Sequence, residues 1–224
     1  MWELEKRYYH KGVFMGKRMI AAMKEVDATK AYPPSEAVAL VKKTATTKFV
    51  GSVELHVRLG IDPKKTDQTI LTTITLPHGT GKTKKVAVFK GSEGEELIKK
   101  IKETGKIDFD IAIADPAIMP KLAQIAKILG PKGLMPNPES GTVTADTEKA
   151  VKEFASGKTE FKNDESGNIH MVLGKANFSD DQILANFKTF MEALNASRPA
   201  GLKKEYIMAV TMNATMGPGI KVKF

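Results

Sequence analysis

Two short segments near opposite ends of the chain carry residue types that contact an RNA backbone. Residues 46–49 read Thr-Thr-Lys-Phe, and residues 215–218 read Thr-Met-Gly-Pro. Lysine can meet a phosphate, an aromatic ring can stack on a base or wedge against a sugar, and glycine lets a ligand backbone approach closely. Considered alone, a phenylalanine such as Phe49 is more often a core residue than an interface residue. Considered alone, the second segment would be interpreted as a C-terminal turn. Taken together, the two segments predict one backbone-reading surface for RNA.

A nucleotide-binding alternative depends on residues 79–83, which read Gly-Thr-Gly-Lys-Thr. This run is similar to the end of a phosphate-binding loop, in which backbone N–H groups and a lysine hold a nucleotide. The full pattern requires a glycine five residues before Gly81, where the chain has Leu76, and an apolar strand pattern follows instead of a helix. A flexible basic turn is the favoured interpretation. A nucleotide-dependent enzyme using Gly79 to Thr83 is the alternative function.

Other catalytic and metal-binding patterns are missing from the sequence. It contains no cysteine, and its four histidines are scattered without ligand spacing, so disulfides, thiolate sites and zinc or iron centres are not expected. Asp108, Asp110 and Asp115 flank an apolar run and are interpreted as solvated strand ends rather than paired catalytic carboxylates. We therefore expect no enzyme, no cofactor and no metal.

The charge balance favours a polyanionic partner. The 224 residues include 35 Lys and Arg against 26 Asp and Glu, a formal net charge of +9, and 42% hydrophobic residues are sufficient for ordinary cores. No apolar run approaches the roughly 20 residues that span a bilayer, and residues 1–7 contain acids instead of the apolar stretch of a signal peptide. We expect no membrane association. A generic basic RNA-binding protein would show the same charge and is a second alternative.

The spacing of apolar residues is that of a helix in some parts of the chain and that of a strand in others. Residues 53–59 alternate apolar and polar, as a strand with one buried face does. Ser179 and Gln182 form a capping box ahead of an apolar helical stripe. The predicted helices are 15–26, one after Pro33-Pro34-Ser35, 95–102, 118–129 and 180–198. The predicted strands are 53–59, 69–76, 86–89, 111–114, 160–162, 169–173 and 206–212.

Residues 130–138, rich in Gly and Pro, are predicted to form a defined loop, either a rigid turn or a second contact surface.

This order of elements predicts a discontinuous domain with a second domain inserted into it. The apolar runs 86–89 and 111–114, each followed by a helix-like stretch, indicate buried parallel strands in the middle of the chain. Residues 1–78 and 157–224 are assigned to the outer domain and residues 79–156 to the inserted one. The inserted domain has 13 basic and 11 acidic residues and the remainder has 22 and 15. We therefore expect the outer domain to attract a polyanion more strongly.

Seven ordered motifs extend from Gly16 almost to the end of the chain. They are Gly16-Lys17-Arg18, Thr46-Thr47-Lys48-Phe49, Leu59-Gly60-Ile61-Asp62-Pro63, Leu76-Pro77-His78-Gly79-Thr80-Gly81-Lys82, Ile128-Leu129-Gly130-Pro131-Lys132-Gly133-Leu134-Met135-Pro136-Asn137-Pro138, Gly174-Lys175 and Thr215-Met216-Gly217-Pro218. As a set they resemble the bacterial type of the large-subunit ribosomal protein L1 family. The resemblance implies an α/β (α+β) fold of two domains: a discontinuous split β-α-β RNA-binding domain and an inserted Rossmann-like α/β domain, joined by two hinge strands.

The same resemblance implies a structural constituent of the ribosome. It implies binding to large-subunit rRNA at the mobile stalk near the exit site, and assistance in the release of deacylated tRNA during translation. It also implies repression of translation of the protein's own messenger RNA, as in many bacterial members. The expected location is the large ribosomal subunit in the bacterial cytoplasm, with a mitochondrion or plastid as the alternative, and the free protein is expected to be a monomer.

Site residues follow from the positions that match the family's motifs. The family's first RNA-contact strip matches Lys48, Phe49 and Ser52. Its second strip matches Thr215, Met216 and Gly217. The small Thr and Gly imply hydrogen bonds to 2′-hydroxyl groups, which would favour RNA over DNA. Lys175 is an expected phosphate contact.

Two parts of the chain depart from the family's pattern. Between Phe89 and Asp108 the family has an additional βα unit, whereas this chain passes from Lys90-Gly91 almost directly to Glu95. Either the inserted domain is shortened or a segment is missing from the sequence, and both options put that domain's sheet in doubt more than the RNA contacts. Residues 1–15 match no part of the pattern and are interpreted as an organelle-type or lineage-specific extension.

Overall fold

The computed structural model describes residues 16–82, 85–138, 140–155, 157–199, 201–202 and 204–224. In chain order the helices are α1 (Lys17–Lys24), α2 (Pro34–Thr44), α3 (Gly91–Thr104), α4 (Met119–Leu122), α5 (Ala126–Leu129), α6 (Thr147–Ala155) and α7 (Asp180–Ala196). The strands are β1 (Ser52–Leu59), β2 (Leu71–Thr75), β3 (Val86–Phe89), β4 (Ile111–Ala114), β5 (Lys158–Lys162), β6 (Asn168–Lys175), β7 (Ile207–Ala214) and β8 (Ile220–Val222). The chain forms two compact units: residues 70–162 make one, and the described residues before and after them make the other.

The discontinuous unit is built on a four-stranded antiparallel sheet in the order β6-β1-β7-β8. Every second residue of β1 from Val53 to Leu59 is buried, as the alternating pattern predicts. Helices α2 and α7 contribute buried apolar residues to the same core, including Val38, Phe187 and Phe190. The first residues of β1 therefore lie beside the last residues of β6 and β7, at one end of the sheet.

The two helices that cover this sheet begin as the sequence predicts. Pro33 and Pro34 start α2, because a proline at the first helical position lacks only an N–H that would have had no partner. Ser179 accepts a hydrogen bond from the Gln182 backbone N–H, and the Gln182 side chain accepts one from the Ser179 N–H, which completes the capping box of α7. Lys42 of α2 pairs with Asp180, which ties the two helices together.

The unit formed by residues 70–162 contains a parallel pair, β3 with β4, and an antiparallel pair, β2 with β5. The parallel pair confirms the prediction from the two apolar runs. Side chains from β3, α3 and the 116–129 segment form its main core, among them Phe89, Leu122 and Leu129, and a smaller cluster joins Ile113 to Phe154. The chain enters this unit through β2 and leaves it through β5, so both strands belong to it, whereas the sequence prediction places the crossings at 79 and 156.

The structure differs from the prediction at two elements, one predicted helix and one strand that was not predicted. The helix predicted at 118–129 is instead a series of short turns, with 3-10 turns at Pro116–Ile118 and Ala123–Ile125 on either side of α4. A helix begun at Pro116 cannot continue regularly, because Pro120 has no N–H to donate back to it. Strand β8 was not predicted, although Ile220 and Val222 alternate with lysines and are buried. No helix in the described part of the chain is long and apolar enough to cross a membrane.

Candidate nucleic-acid interface

The first predicted segment forms a loop between α2 and β1. Helix α2 ends at Thr44, whose buried hydroxyl donates to the carbonyls of Leu40 and Val41 at 2.9 and 3.1 Å. Within the loop, the Thr47 hydroxyl donates to the Phe49 carbonyl at 2.8 Å. This leaves the Phe49 side chain 56% exposed and Lys48 exposed beside it. Phe49 therefore does not occupy a core position.

The second segment is the turn between β7 and β8. The Gly217 N–H donates to the Ala214 carbonyl at 2.7 Å, which closes the turn. Met216 has a φ of +60°, in the left-handed region that side chains other than Asn, Asp and Gly adopt rarely. A Cβ at Gly217 would lie 3.1 Å from the Ala214 carbonyl oxygen, so glycine fits the turn best. The Met216 side chain is consequently held outward and is 62% exposed.

Direct hydrogen bonds join the two segments. The Ser52 N–H donates to the Thr215 hydroxyl at 2.9 Å, and the Thr215 N–H donates to the Ser52 carbonyl at the same distance. Gly51 permits this approach, because a Cβ there would lie 3.3 Å from the Thr215 Cβ and 3.6 Å from the Thr47 hydroxyl. The sheet register thus brings together two segments that lie more than 150 residues apart in sequence.

Lys175, the last residue of β6, lies at the same end of the sheet as Ser52 and Thr215. It is the register partner of Ser52, and its ammonium donates to the Ser52 hydroxyl at 3.4 Å. Ser52 is only 7% exposed, so its side chain supports Lys175 more than it faces solvent. The seven predicted site residues therefore all lie at one end of the sheet. Hydrogen bonds connect Ser52, Thr215 and Lys175, while Lys48, Phe49 and Met216 present exposed side chains around them.

Sequence reasoning missed Arg18 as part of this site. One guanidinium nitrogen donates to the Thr46 hydroxyl and the other to the Met216 carbonyl, both at 3.2 Å. Arg18 stands in a motif of the family pattern, but nothing in its neighbourhood along the chain indicates these partners. They are recognisable only once helix α1 is placed beside the two loops.

The phosphate-loop candidate has a different environment. Gly79 and Gly81 have φ values of +60° and +71°, as expected for a turn, and β3 follows where a phosphate-binding loop would open a helix. Thr83 lies outside the described residues. The local geometry is therefore that of a glycine turn leading into a strand.

The aspartates around β4 also have structural partners. Asp110 accepts a hydrogen bond from the Lys85 N–H and Asp115 one from the Ala117 N–H, both at 3.0 Å, and Asp108 is exposed. Asp110 and Asp115 thus cap backbone groups at the two ends of the strand, where the sequence analysis places solvated strand ends.

The loop at 130–138 is tied to the residues that follow it. The Thr142 hydroxyl accepts from the Asn137 N–H at 2.8 Å and donates to the Asn137 carbonyl at 3.0 Å, and Ser140 donates to the same carbonyl at 3.1 Å. Ser140 and Thr142 are buried. These bonds support the rigid-turn interpretation of this loop.

Two histidines that are far apart in sequence meet on the sheet. His56 and His170 are register partners, and their Nδ1 atoms lie 2.7 Å apart. His56 Nε2 also contacts the Asn213 amide oxygen at 2.6 Å, and His170 faces Asp164 at 3.4 Å. Backbone N–H donation, foremost from Asn168, lowers the pKa of Asp164. Among the described residues, no group of three or more His, Cys, Asp and Glu side chains could hold a metal ion.

The fold and this surface define the class of protein: an α/β protein of two compact units, whose discontinuous unit presents lysine, phenylalanine and methionine side chains at one end of its sheet. The sequence model of the Ribosomal protein L1p/L10e family matches residues 41–93 and 90–218. "Large ribosomal subunit protein uL1" of Chloroflexus aurantiacus (strain ATCC 29366 / DSM 635 / J-10-fl) is 46% identical in an alignment 223 positions long, which covers 92% of this chain and 94% of the relative. The protein of the same name from Chloroflexus aggregans (strain MD-66 / DSM 9485) is 45% identical with the same coverage.

The chain therefore belongs to the ribosomal protein L1p/L10e family. The two matched stretches overlap at residues 90–93, next to the predicted position of the missing βα unit. In the structure, the parallel sheet of the 70–162 unit has two strands, β3 and β4.

Proposed function

We propose that this chain is a constituent of the large ribosomal subunit and that the end of its sheet formed by Ser52, Thr215 and Lys175 binds rRNA. One observation carries the proposal: Phe49 and Met216, two large apolar side chains more than half exposed, stand on two loops that the Ser52–Thr215 hydrogen bonds hold together. Exposed apolar side chains on a rigid frame beside lysines are suited to stack on bases while cations meet phosphates.

The hydrogen-bonding capacity of the site refines the expected roles. The Thr215 hydroxyl accepts the Ser52 N–H and lies 3.2 Å from the Ser52 carbonyl, to which it donates. A hydroxyl has one proton and two lone pairs, so one lone pair remains for a 2′-hydroxyl donor. Thr215 and Ser52 therefore act mainly as the frame. Phe49 and Met216 supply apolar contact, Gly217 allows close approach of the RNA backbone, and Lys48 and Lys175 supply charge.

The specific RNA and the location are part of the same proposal. We propose binding to the mobile rRNA stalk near the exit site, with assistance in releasing deacylated tRNA, and repression of the protein's own messenger RNA through a similar RNA structure. The proposed location is the large ribosomal subunit in the bacterial cytoplasm. In this proposal the discontinuous unit carries the RNA contacts, and the unit formed by residues 70–162 does not.

A filter-binding titration tests the proposal directly. The protein is titrated against an rRNA stalk fragment and against a shuffled RNA of equal length, at near-physiological salt. We expect a preference for the stalk fragment of a few kcal/mol, the usual margin between specific and non-specific sites. Equal affinity for both RNAs, with a steep decrease as salt rises, would contradict the proposal and favour the generic basic RNA-binding protein.

A further inference from the structure

The Arg18 side chain spans the two loops that carry the contact residues. Its two terminal nitrogens donate to different partners, the Thr46 hydroxyl on the first loop and the Met216 carbonyl on the second, each at 3.2 Å. Arg18 itself is on neither loop, because it belongs to α1. The guanidinium is planar and presents its donors in a fixed fork, so it holds both acceptors at a set separation.

The second acceptor, the Met216 carbonyl, belongs to a residue with a rare backbone conformation. Met216 has a φ of +60°, which raises the energy of its backbone relative to extended or helical conformations. Such a conformation persists only when its surroundings fix it. The Gly217 N–H to Ala214 carbonyl bond fixes one side of the turn, and the Arg18 donation to the Met216 carbonyl fixes the other. The direction in which the Met216 side chain leaves the turn depends on this carbonyl.

The other guanidinium nitrogen of Arg18 donates to Thr46 on the first loop. Thr46 is exposed and directly precedes Thr47, whose hydroxyl holds the Phe49 carbonyl. A single side chain therefore connects the loop of Phe49 to the turn of Met216 from outside the sheet, while Ser52 and Thr215 connect them from within it.

We propose that Arg18 is a positioning residue of the RNA interface, which sets the separation and orientation of the Phe49 loop and the Met216 turn before RNA arrives. This rests on the proposed function, since it assigns Arg18 to that same surface. Its contribution to affinity comes from ordering the two loops in the free protein, which reduces what RNA binding must order. A residue that only contacted a phosphate would contribute through its charge alone.

Three variants separate these two roles. Arg18→Lys keeps the charge but replaces the fork with a single ammonium, Thr46→Val removes one of the two acceptors, and Lys17→Ala removes the neighbouring exposed charge as a matched control. For each, the affinity for the rRNA stalk fragment is measured at several salt concentrations. Amide hydrogen exchange at Thr215 and Gly217 is measured in the free protein.

We expect Arg18→Lys to lose about tenfold in affinity, as for the loss of one charge-assisted hydrogen bond, with an unchanged salt slope and faster exchange at Gly217. Thr46→Val should follow in the same direction by a smaller factor, and Lys17→Ala should leave exchange unchanged. Wild-type affinity and exchange in Arg18→Lys would overturn the proposal and assign Arg18 to a charge contact. If the unmodified protein shows no preference for the stalk fragment, the proposed function fails, while the exchange measurement still decides whether Arg18 orders the turn.

Discussion

The two compact units differ less in charge than in which apolar side chains they expose. Residues 70–162 include 15 basic and 12 acidic residues, and the rest of the chain 20 and 14. Among the residues that the structure describes, the large exposed hydrophobic side chains all lie in the discontinuous unit: Phe49, Val50, Met208, Met216 and Phe224. The described large hydrophobic side chains of the 70–162 unit are buried or half-buried. A basic net charge attracts RNA to either unit, but only one unit also offers apolar groups on fixed loops.

Polar side chains show the same contrast. Ser140 and Thr142 of the 70–162 unit are buried and bond to the Asn137 backbone, so they stabilise their own turn. In the discontinuous unit, Ser52 and Thr215 likewise bond to each other, but their bonds hold two loops whose other side chains face outward. The proposed RNA surface thus combines internal hydrogen bonds with exposed groups beside them, whereas the 140–142 turn has only the internal hydrogen bonds.

The largest effect is expected from Met216→Asp, which tests whether the exposed apolar groups matter. Aspartate tolerates the left-handed backbone of this position, so the fold should be retained. A carboxylate facing phosphates, in place of the apolar methionine side chain, should cost at least about 2 kcal/mol, some 30-fold in affinity for the stalk RNA. Met208→Asp is the matched control, because Met208 is 53% exposed on β7 of the same unit. Equal losses in both variants would show that only the added charge matters.

Phe49→Ala should have the next largest effect. Loss of one stacking aromatic costs about 1–3 kcal/mol in affinity for single-stranded nucleic acid, and Phe49 is exposed, so the thermal stability of the protein should change little. Phe224→Ala is the control, since that ring is exposed to a similar extent in the same unit, at 60% against 56%. Filter binding at one salt concentration is sufficient. An undiminished affinity in Phe49→Ala would remove this ring from the interface.

Thr215→Val tests the frame rather than the exposed groups. Valine keeps the shape but leaves the Ser52 N–H without its hydroxyl acceptor, and an unmet buried donor costs about 1–3 kcal/mol. Because Thr215 joins the two loops, we expect a lower melting temperature together with roughly tenfold weaker RNA binding. Thr211→Val, on the same strand, is the control for the substitution itself. A stable Thr215→Val protein with full RNA affinity would show that the two loops do not need this bond.

The smallest effect is expected from Lys82→Ala in the 70–162 unit. If the nucleotide-dependent alternative were correct, this variant would lose nucleotide binding, whereas we expect RNA affinity to change little. Lys48→Ala is the companion variant in the discontinuous unit, and both lysines are exposed. A phosphate contact at Lys48 should reduce the salt slope of binding by about one. Identical slopes in the two variants would contradict a phosphate contact that is made by Lys48 and not by Lys82.

The elements were largely predictable from local patterns. The motifs named candidate site residues that the structure places at one end of the sheet, but they did not specify the contacts between them. Alternation along residues 53–59 and the Ser179 capping box predicted β1 and α7, because each depends on neighbours in sequence. The bonds of Arg18 to Thr46 and Met216 could not be predicted, since no local pattern specifies which helix end meets which loop. The His56–His170 pair was missed for the same reason: only the strand register brings the two rings together.

Because the discontinuous unit is made of two separate stretches of the chain, its candidate site can form only late in synthesis. The residues from 70 to 162 are contiguous, so that unit can fold as soon as it leaves the ribosome, as domains generally do. Strand β1 is made early, but its partners β6 and β7 begin only at Asn168 and Ile207. The Ser52–Thr215 bonds can therefore form only after Thr215 has been translated, and a growing chain that stops before Thr215 cannot present the paired loops to RNA.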